Sequence, residues 1–213
     1  MGKGRIEALA DGVFAIAMTL LILNVTVPVL TGEQERAALP RKLLELWPKF
    51  LAYAVSFLVI GVLWVGHHAQ MHYVRHTDRP FMWINLVFLL FVSAVPFAAA
   101  LLSQYYDQPI AIVFYCGNLI AAGLVLYGQL GYAAGPGRLF ADGVDPVFIR
   151  AGARRILMGP SLYAVALVTS FVNTGASLTI CALVPLLYIL PGRVDLFWKS
   201  GRRQAAETEE THH

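Results

Sequence analysis

Charged residues are scarce in this chain, at 14% of 213 positions, where a soluble domain typically carries about 25%. With 58% hydrophobic residues and a mean hydropathy of +0.64, that shortage excludes an ordinary soluble fold and leaves a membrane protein. Cysteine is nearly absent. Cys116 and Cys181 both lie inside apolar stretches without neighbours at metal-ligand spacing, so they read as buried thiols. A basic stripe is missing too: the net charge of +3 comes from residues scattered at helix ends, which argues against nucleic-acid binding. No nucleophile, acid and metal-ligating groups converge in the pattern. The chain is therefore expected to be no enzyme and to need no cofactor.

What is present is helix-length apolar sequence. A spanning helix needs about 20 mostly apolar residues, and six stretches qualify: roughly 8–29, 46–67, 81–102, 109–132, 154–172 and 177–197. They predict an all-α membrane protein with one six-helix domain over 1–200, then a disordered polar tail over 201–213. Pro96 is placed to kink the third span. The first stretch is too long for a signal peptide and lacks a cleavage pattern at its end, so it reads as a retained span. Of the 16 Lys and Arg, twelve fall on the side of the N-terminus; the other four, Arg36, Arg41, Lys42 and Lys49, fall in the first opposite loop. Basic loops stay inside, which predicts a multi-pass protein with cytoplasmic termini, and the membrane expected is the plasma membrane. That first loop also carries Leu39, Leu43, Leu44 and Trp47 in a pattern suited to rest on the membrane surface.

The stretch "RIEALADGVFAIAMTLLILNV" sets charge at the mouth of the first span. Asp11 lies a turn or more inside it, and a charge there needs a partner or water. The second and third spans meet at the same level and supply His67, His68 and Asn85. A network joining Arg5 and Asp11 to His67 or His68 and Asn85 is the expected anchor. His68 and His72 have the i, i+4 spacing of metal ligands, but one such box is too few for a membrane di-iron enzyme. All the internal histidines belong to one segment, so they form no haem pair. The cluster reads as structural or proton-titrating, with no metal.

Leu9, Val13, Ile16, Leu20, Leu23 and Val27 follow a 4-3-4-3-4 spacing, the seam of a helix packed against symmetry mates. At about 100° per residue, Asp11 points about 140° away from Ile16, and Thr19 lies about 60° to one side of the seam. An apolar stretch also yields such a seam by chance, so spacing alone leaves pore lining and plain packing both open.

The same stretch resembles the first span of the potassium channels related to transmembrane protein 175. Their motif is Arg-x-x-x-Phe-Ser-Asp. Arg5 and Asp11 match its ends, while Leu9 and Ala10 stand where Phe and Ser are usual. The likeness continues through "YAVSFLVIGVLWVGHHAQMHYV" and "INLVFLLFVSAVPFAAALL", covering roughly 5–102, and extends over the last three spans only by hydropathy. It implies a six-span unit, present once per chain and assembled as a homotetramer in bacterial members. It further implies a pore lined by the first helices, without a re-entrant P-loop; "YGQLGY" at 127–132 is no such filter. By the same resemblance the constriction falls at Ile16, followed by Leu20 and Leu23, the layer that sets cation preference at Thr19, and the permeant ion is K⁺. The rival reading, a secondary transporter, wants a charged or unwound site near mid-membrane. These spans offer only Asn118, prolines and hydroxyls there.

Overall fold

The computed structural model describes residues 2–30, 32, 37–135, 139–141 and 144–189, the side chain of Phe148 excepted. The tail expected over 201–213 lies outside them. Helix α1 (Lys3–Leu20) continues into a 3-10 turn (Leu21–Asn24). It is followed by the short α2 (Leu39–Glu45), then α3 (Trp47–Tyr73), α4 (Arg79–Gln104), α5 (Pro109–Ala133), α6 (Pro146–Ser170) and α7 (Thr174–Ile189). Proline in the first turn starts α2 through α6, where its missing N–H costs nothing. Two aspartates cap helices: the Phe81 amide donates to Asp78 Oδ1 at 2.9 Å and the Val147 amide to Asp145 Oδ1 at 2.7 Å.

The fold is an all-α, multi-span bundle. Among the described residues, four helices are long and apolar enough to cross a membrane: Lys3–Asn24, Trp47–Tyr73, Arg79–Gln104 and Pro109–Ala133. Helix α6 runs for 25 residues but carries Arg150, Arg154 and Arg155 in its first half, and the described part of α7 has 16 residues. Among the described residues, length and composition therefore support four of the six expected spans directly. The ends differ as well. Helix α1 starts five residues before the expected boundary, because Lys3 and Glu7 pair one turn apart at 3.8 Å and the polar mouth is already helical. Helix α3 runs six residues beyond the apolar stretch, because Met71 and the following Val74 are buried.

Helix α4 sits at the centre. Its buried stripe, Phe81, Asn85, Phe88, Val92, Val95 and Ala99, keeps the i, i+3/i+4 rhythm of a core face, and it packs against α1, α3 and α5. Pro96 lies buried within it. Helices α5, α6 and α7 form the other half. A Cβ on Gly123 of α5 would collide with the Pro160 ring, so glycine is what lets α6 approach. Beside that proline, the Tyr188 hydroxyl accepts from the Gly159 amide at 2.8 Å and donates to the Arg155 carbonyl at 2.6 Å. It thus bridges one rung of the α6 ladder from α7. Cys116 and Cys181 are buried with their sulfurs 3.5 Å apart. An isolated antiparallel bridge, Val74 with Phe140, joins the α3–α4 turn to the α5–α6 connection.

Candidate functional site: the first helix and its anchors

Helix α1 has two faces. Ile6, Ala10, Phe14, Ala17 and Leu21, spaced 4-4-3-4, are buried within the subunit. Leu9, Ile16, Leu20 and Leu23 lie on another face and are exposed, Ile16 at 60% and Leu23 at 69%. Val13, between Leu9 and Ile16 in the expected seam, is half-buried. Thr19 is exposed, and its hydroxyl donates to the Ile16 carbonyl at 2.9 Å. With its proton so directed, the Thr19 oxygen keeps its lone pairs for accepting.

The expected network divides into two clusters. In the outer one, the Trp64 indole N–H donates to Asp11 Oδ1 at 2.8 Å, and the Trp64 ring stacks on His68 with centroids 5.6 Å apart. In the inner one, buried His67 Nε2 lies 2.8 Å from Asn85 Oδ1, which also accepts from Gln129 Nε2 at 3.2 Å. An amide oxygen only accepts, so His67 must carry its proton on Nε2. The imidazole lies flat against Phe88, 5.5 Å between centroids, with Phe14 on its border. Phe14 therefore connects α1 to the inner cluster by packing. Asp11 is held instead by an indole one helical turn before His68. Arg5 is exposed, and among the described residues its side chain makes no ion pair. The structure thus brings together His67 with Asn85, and Asp11 with Trp64, but joins Arg5 to neither.

Trp64 and Gln129 are the partners that sequence reading missed. Trp64 passes for an interfacial aromatic. Gln129 is one of two amides, with Asn118, in an apolar span, and a polar side chain there was itself a signal. At the far end of α1, Asn24 Nδ2 donates to the Pro96 carbonyl at 3.1 Å and fixes the 3-10 turn to α4. No group of three or more His, Cys, Asp or Glu fit to hold a metal occurs among the described residues.

A family profile, "Endosomal/lysosomal potassium channel TMEM175", matches residues 5–96. A potassium channel of Chamaesiphon minutus is 38% identical over 190 residues, 88% of this chain and 93% of that protein. The chain belongs to the TMEM175 family. A potassium channel of Streptomyces collinus is also 38% identical over 190 residues, covering 87% of this chain and 91% of that protein. The crystal structure of a lysosomal potassium-selective channel TMEM175 homolog from Chamaesiphon minutus superposes with a TM-score of 0.78 at 35% identity, over 91% of this chain and 98% of that one. Membership of the TMEM175 family places the chain among P-loop-free, potassium-type cation channels of bacterial type and not among enzymes. It also corrects one expectation. The expected plasma-membrane location is overturned by the animal relatives: the chicken, bovine and human proteins are endosomal/lysosomal proton channels. Hydropathy reports that a chain enters a bilayer, and carries no address for which one.

Proposed function

We propose that this chain conducts K⁺ through a pore lined by α1 at the centre of a homotetramer of six-span subunits. The observation that carries the reading is the exposed apolar face of α1 around Ile16, Leu20 and Leu23, on a helix whose intramembrane charge is turned aside to Trp64. Closed symmetry makes each of these positions a ring. A ring of Ile16 side chains excludes water, and a dewetted constriction blocks ions without any charge. Leu20 and Leu23 extend the narrow region. The Thr19 ring offers four hydroxyl oxygens to a partly dehydrated cation, and such a flexible set favours K⁺ over Na⁺ modestly. Asp11 with Trp64, and Phe14 against His67, Asn85 and Gln129, set the tilt of the lining helix; Arg5 adds its charge near the mouth. The 38% identity to two proteins named as potassium channels supports K⁺ as the permeant ion.

The test is K⁺ flux into proteoliposomes, wild type beside Ile16→Asn and Thr19→Val, with Na⁺ as the comparison ion. Wild type should conduct, Ile16→Asn should conduct several-fold more, and Thr19→Val should bring the two ions closer to equal. Reconstituted tetramers that pass neither ion in any variant would sink the proposal.

A further inference from the structure

The chain has two cysteines, and the fold brings them together. Cys116 lies on α5 and Cys181 on α7, 65 residues apart in sequence, with their sulfurs 3.5 Å from each other. Both are buried, in one apolar cluster with Tyr115, Leu119, Tyr163 and Val184. A single cysteine there would be a small apolar side chain and no more. Two in contact add a chemistry that neither has alone. A disulfide holds its sulfurs about 2.05 Å apart, so closure takes about 1.5 Å, shared between two side chains.

The position gives such a bond something to do. Hydrogen bonds tie α7 to α6: Ser177 Oγ donates to the Ala166 carbonyl at 2.6 Å, and the Tyr188 hydroxyl bridges Gly159 and Arg155. The cysteine pair joins α7 to α5 instead. A route for a small oxidant also exists. A groove of about 740 Å³ runs between α3 and the α5–α6–α7 half, and its rim is exposed at Phe57, Val65 and His68. Its walls include Leu119 and Val184, each three residues beyond one of the cysteines. The groove thus ends about 4.5 Å along each helix from the pair. Hydrogen peroxide, neutral and little larger than water, fits that path.

We infer that Cys116 and Cys181 are a modification site: hydrogen peroxide converts them to a reversible disulfide that ties α5 to α7. One sulfur, as thiolate, attacks a peroxide oxygen. The O–O bond breaks, and the departing hydroxide takes up that thiol's proton to leave as water. The second sulfur attacks the resulting sulfenic acid in the same way. The S–S bond forms, the S–O bond breaks, and the hydroxide leaves with the second thiol's proton as another water. Two thiols are oxidised by two electrons in all, and one peroxide is reduced to two waters. With the second sulfur already in contact, the sulfenic acid is captured before a second peroxide takes it to sulfinic acid.

The test is mass spectrometry of the purified protein, and it needs no conduction assay. Protein reduced with dithiothreitol, denatured and treated with N-ethylmaleimide should carry two adducts. After millimolar hydrogen peroxide it should carry none and weigh two hydrogens less, and dithiothreitol should restore both adducts. In Cys116→Ser the sulfenic acid on Cys181 has no partner, so it should take up dimedone, which wild type should not. The inference is overturned if wild type keeps both adducts after peroxide. Uptake of oxygen at each sulfur separately, or of dimedone by wild type as readily as by Cys116→Ser, overturns it too. Disulfide-linked dimers in place of the internal bond would do the same, since they need the cysteines at the surface.

Discussion

The indole of Trp64 donates its N–H to Asp11 at 2.8 Å, across the contact between α3 and α1. The acid inside the first span is thus satisfied by an uncharged donor. A hydrogen bond to a charged acceptor contributes about 1.5–3 kcal/mol when buried, and less where solvent reaches it, as at exposed Asp11. Trp64→Phe should therefore lower stability by about 1 kcal/mol, visible as a lower melting temperature in detergent. Asp11→Asn keeps an acceptor oxygen and should cost less. Equal melting points for Trp64→Phe and wild type would show that the bond contributes nothing.

The inner cluster responds differently at its two ends. Asn85 Oδ1 accepts from both His67 and Gln129, so Asn85→Leu strands two buried donors. Each stranded donor costs about 1–3 kcal/mol. Gln129→Leu leaves His67 and Asn85 paired, and also removes Gln129 Oε1, which has no partner among the described residues. Denaturation should therefore rank Asn85→Leu well below Gln129→Leu. The reverse order would contradict the assigned geometry.

Gly123→Ala should destabilise the α5–α6 contact by about 1–3 kcal/mol, the usual cost of overpacking, because its new methyl meets the rigid ring of Pro160. Removing that ring in the double variant Gly123→Ala with Pro160→Ala should restore part of the loss. A double-mutant cycle with no coupling would argue that the two residues do not touch.

Tyr188→Phe deletes one hydroxyl with two main-chain partners on α6, the Gly159 amide and the Arg155 carbonyl. The loss should reach about 1–3 kcal/mol, or less if the Arg155 and Gly159 groups close on each other. Amide hydrogen exchange at Gly159 separates the two results: faster exchange means an open rung, unchanged exchange a reclosed one.

Much of the bundle could be read before any coordinates, and the limits of that reading are physical. The apolar stretches of α1, α3, α4 and α5 announce spans because lipid demands length and apolarity together. The angle between Asp11 and Ile16 follows from helix geometry alone. Hydropathy is weaker at α6, whose first half carries three arginines, and it stops short at the end of α3, where packing of Met71 prolongs the helix. Partner choice is the other gap. The pairing of His67 with Asn85 was among the expected contacts, but that Asp11 would find Trp64 depends on how α3 is rotated. No single-helix pattern encodes that rotation, and the same holds for Gln129, which reaches Asn85 from α5.

Asn24 on Pro96 and Asp11 on Trp64 fasten α1 at points about 20 Å apart along its axis. A rod clamped at two such points cannot swing like a gate on a hinge. It can twist about its length or bow in the middle, and the middle is where Ile16 and Thr19 stand. A quarter-turn of twist exchanges one set of side chains for another at the same height, so in the proposed pore a helix held this way would act less as a door than as a revolving shutter.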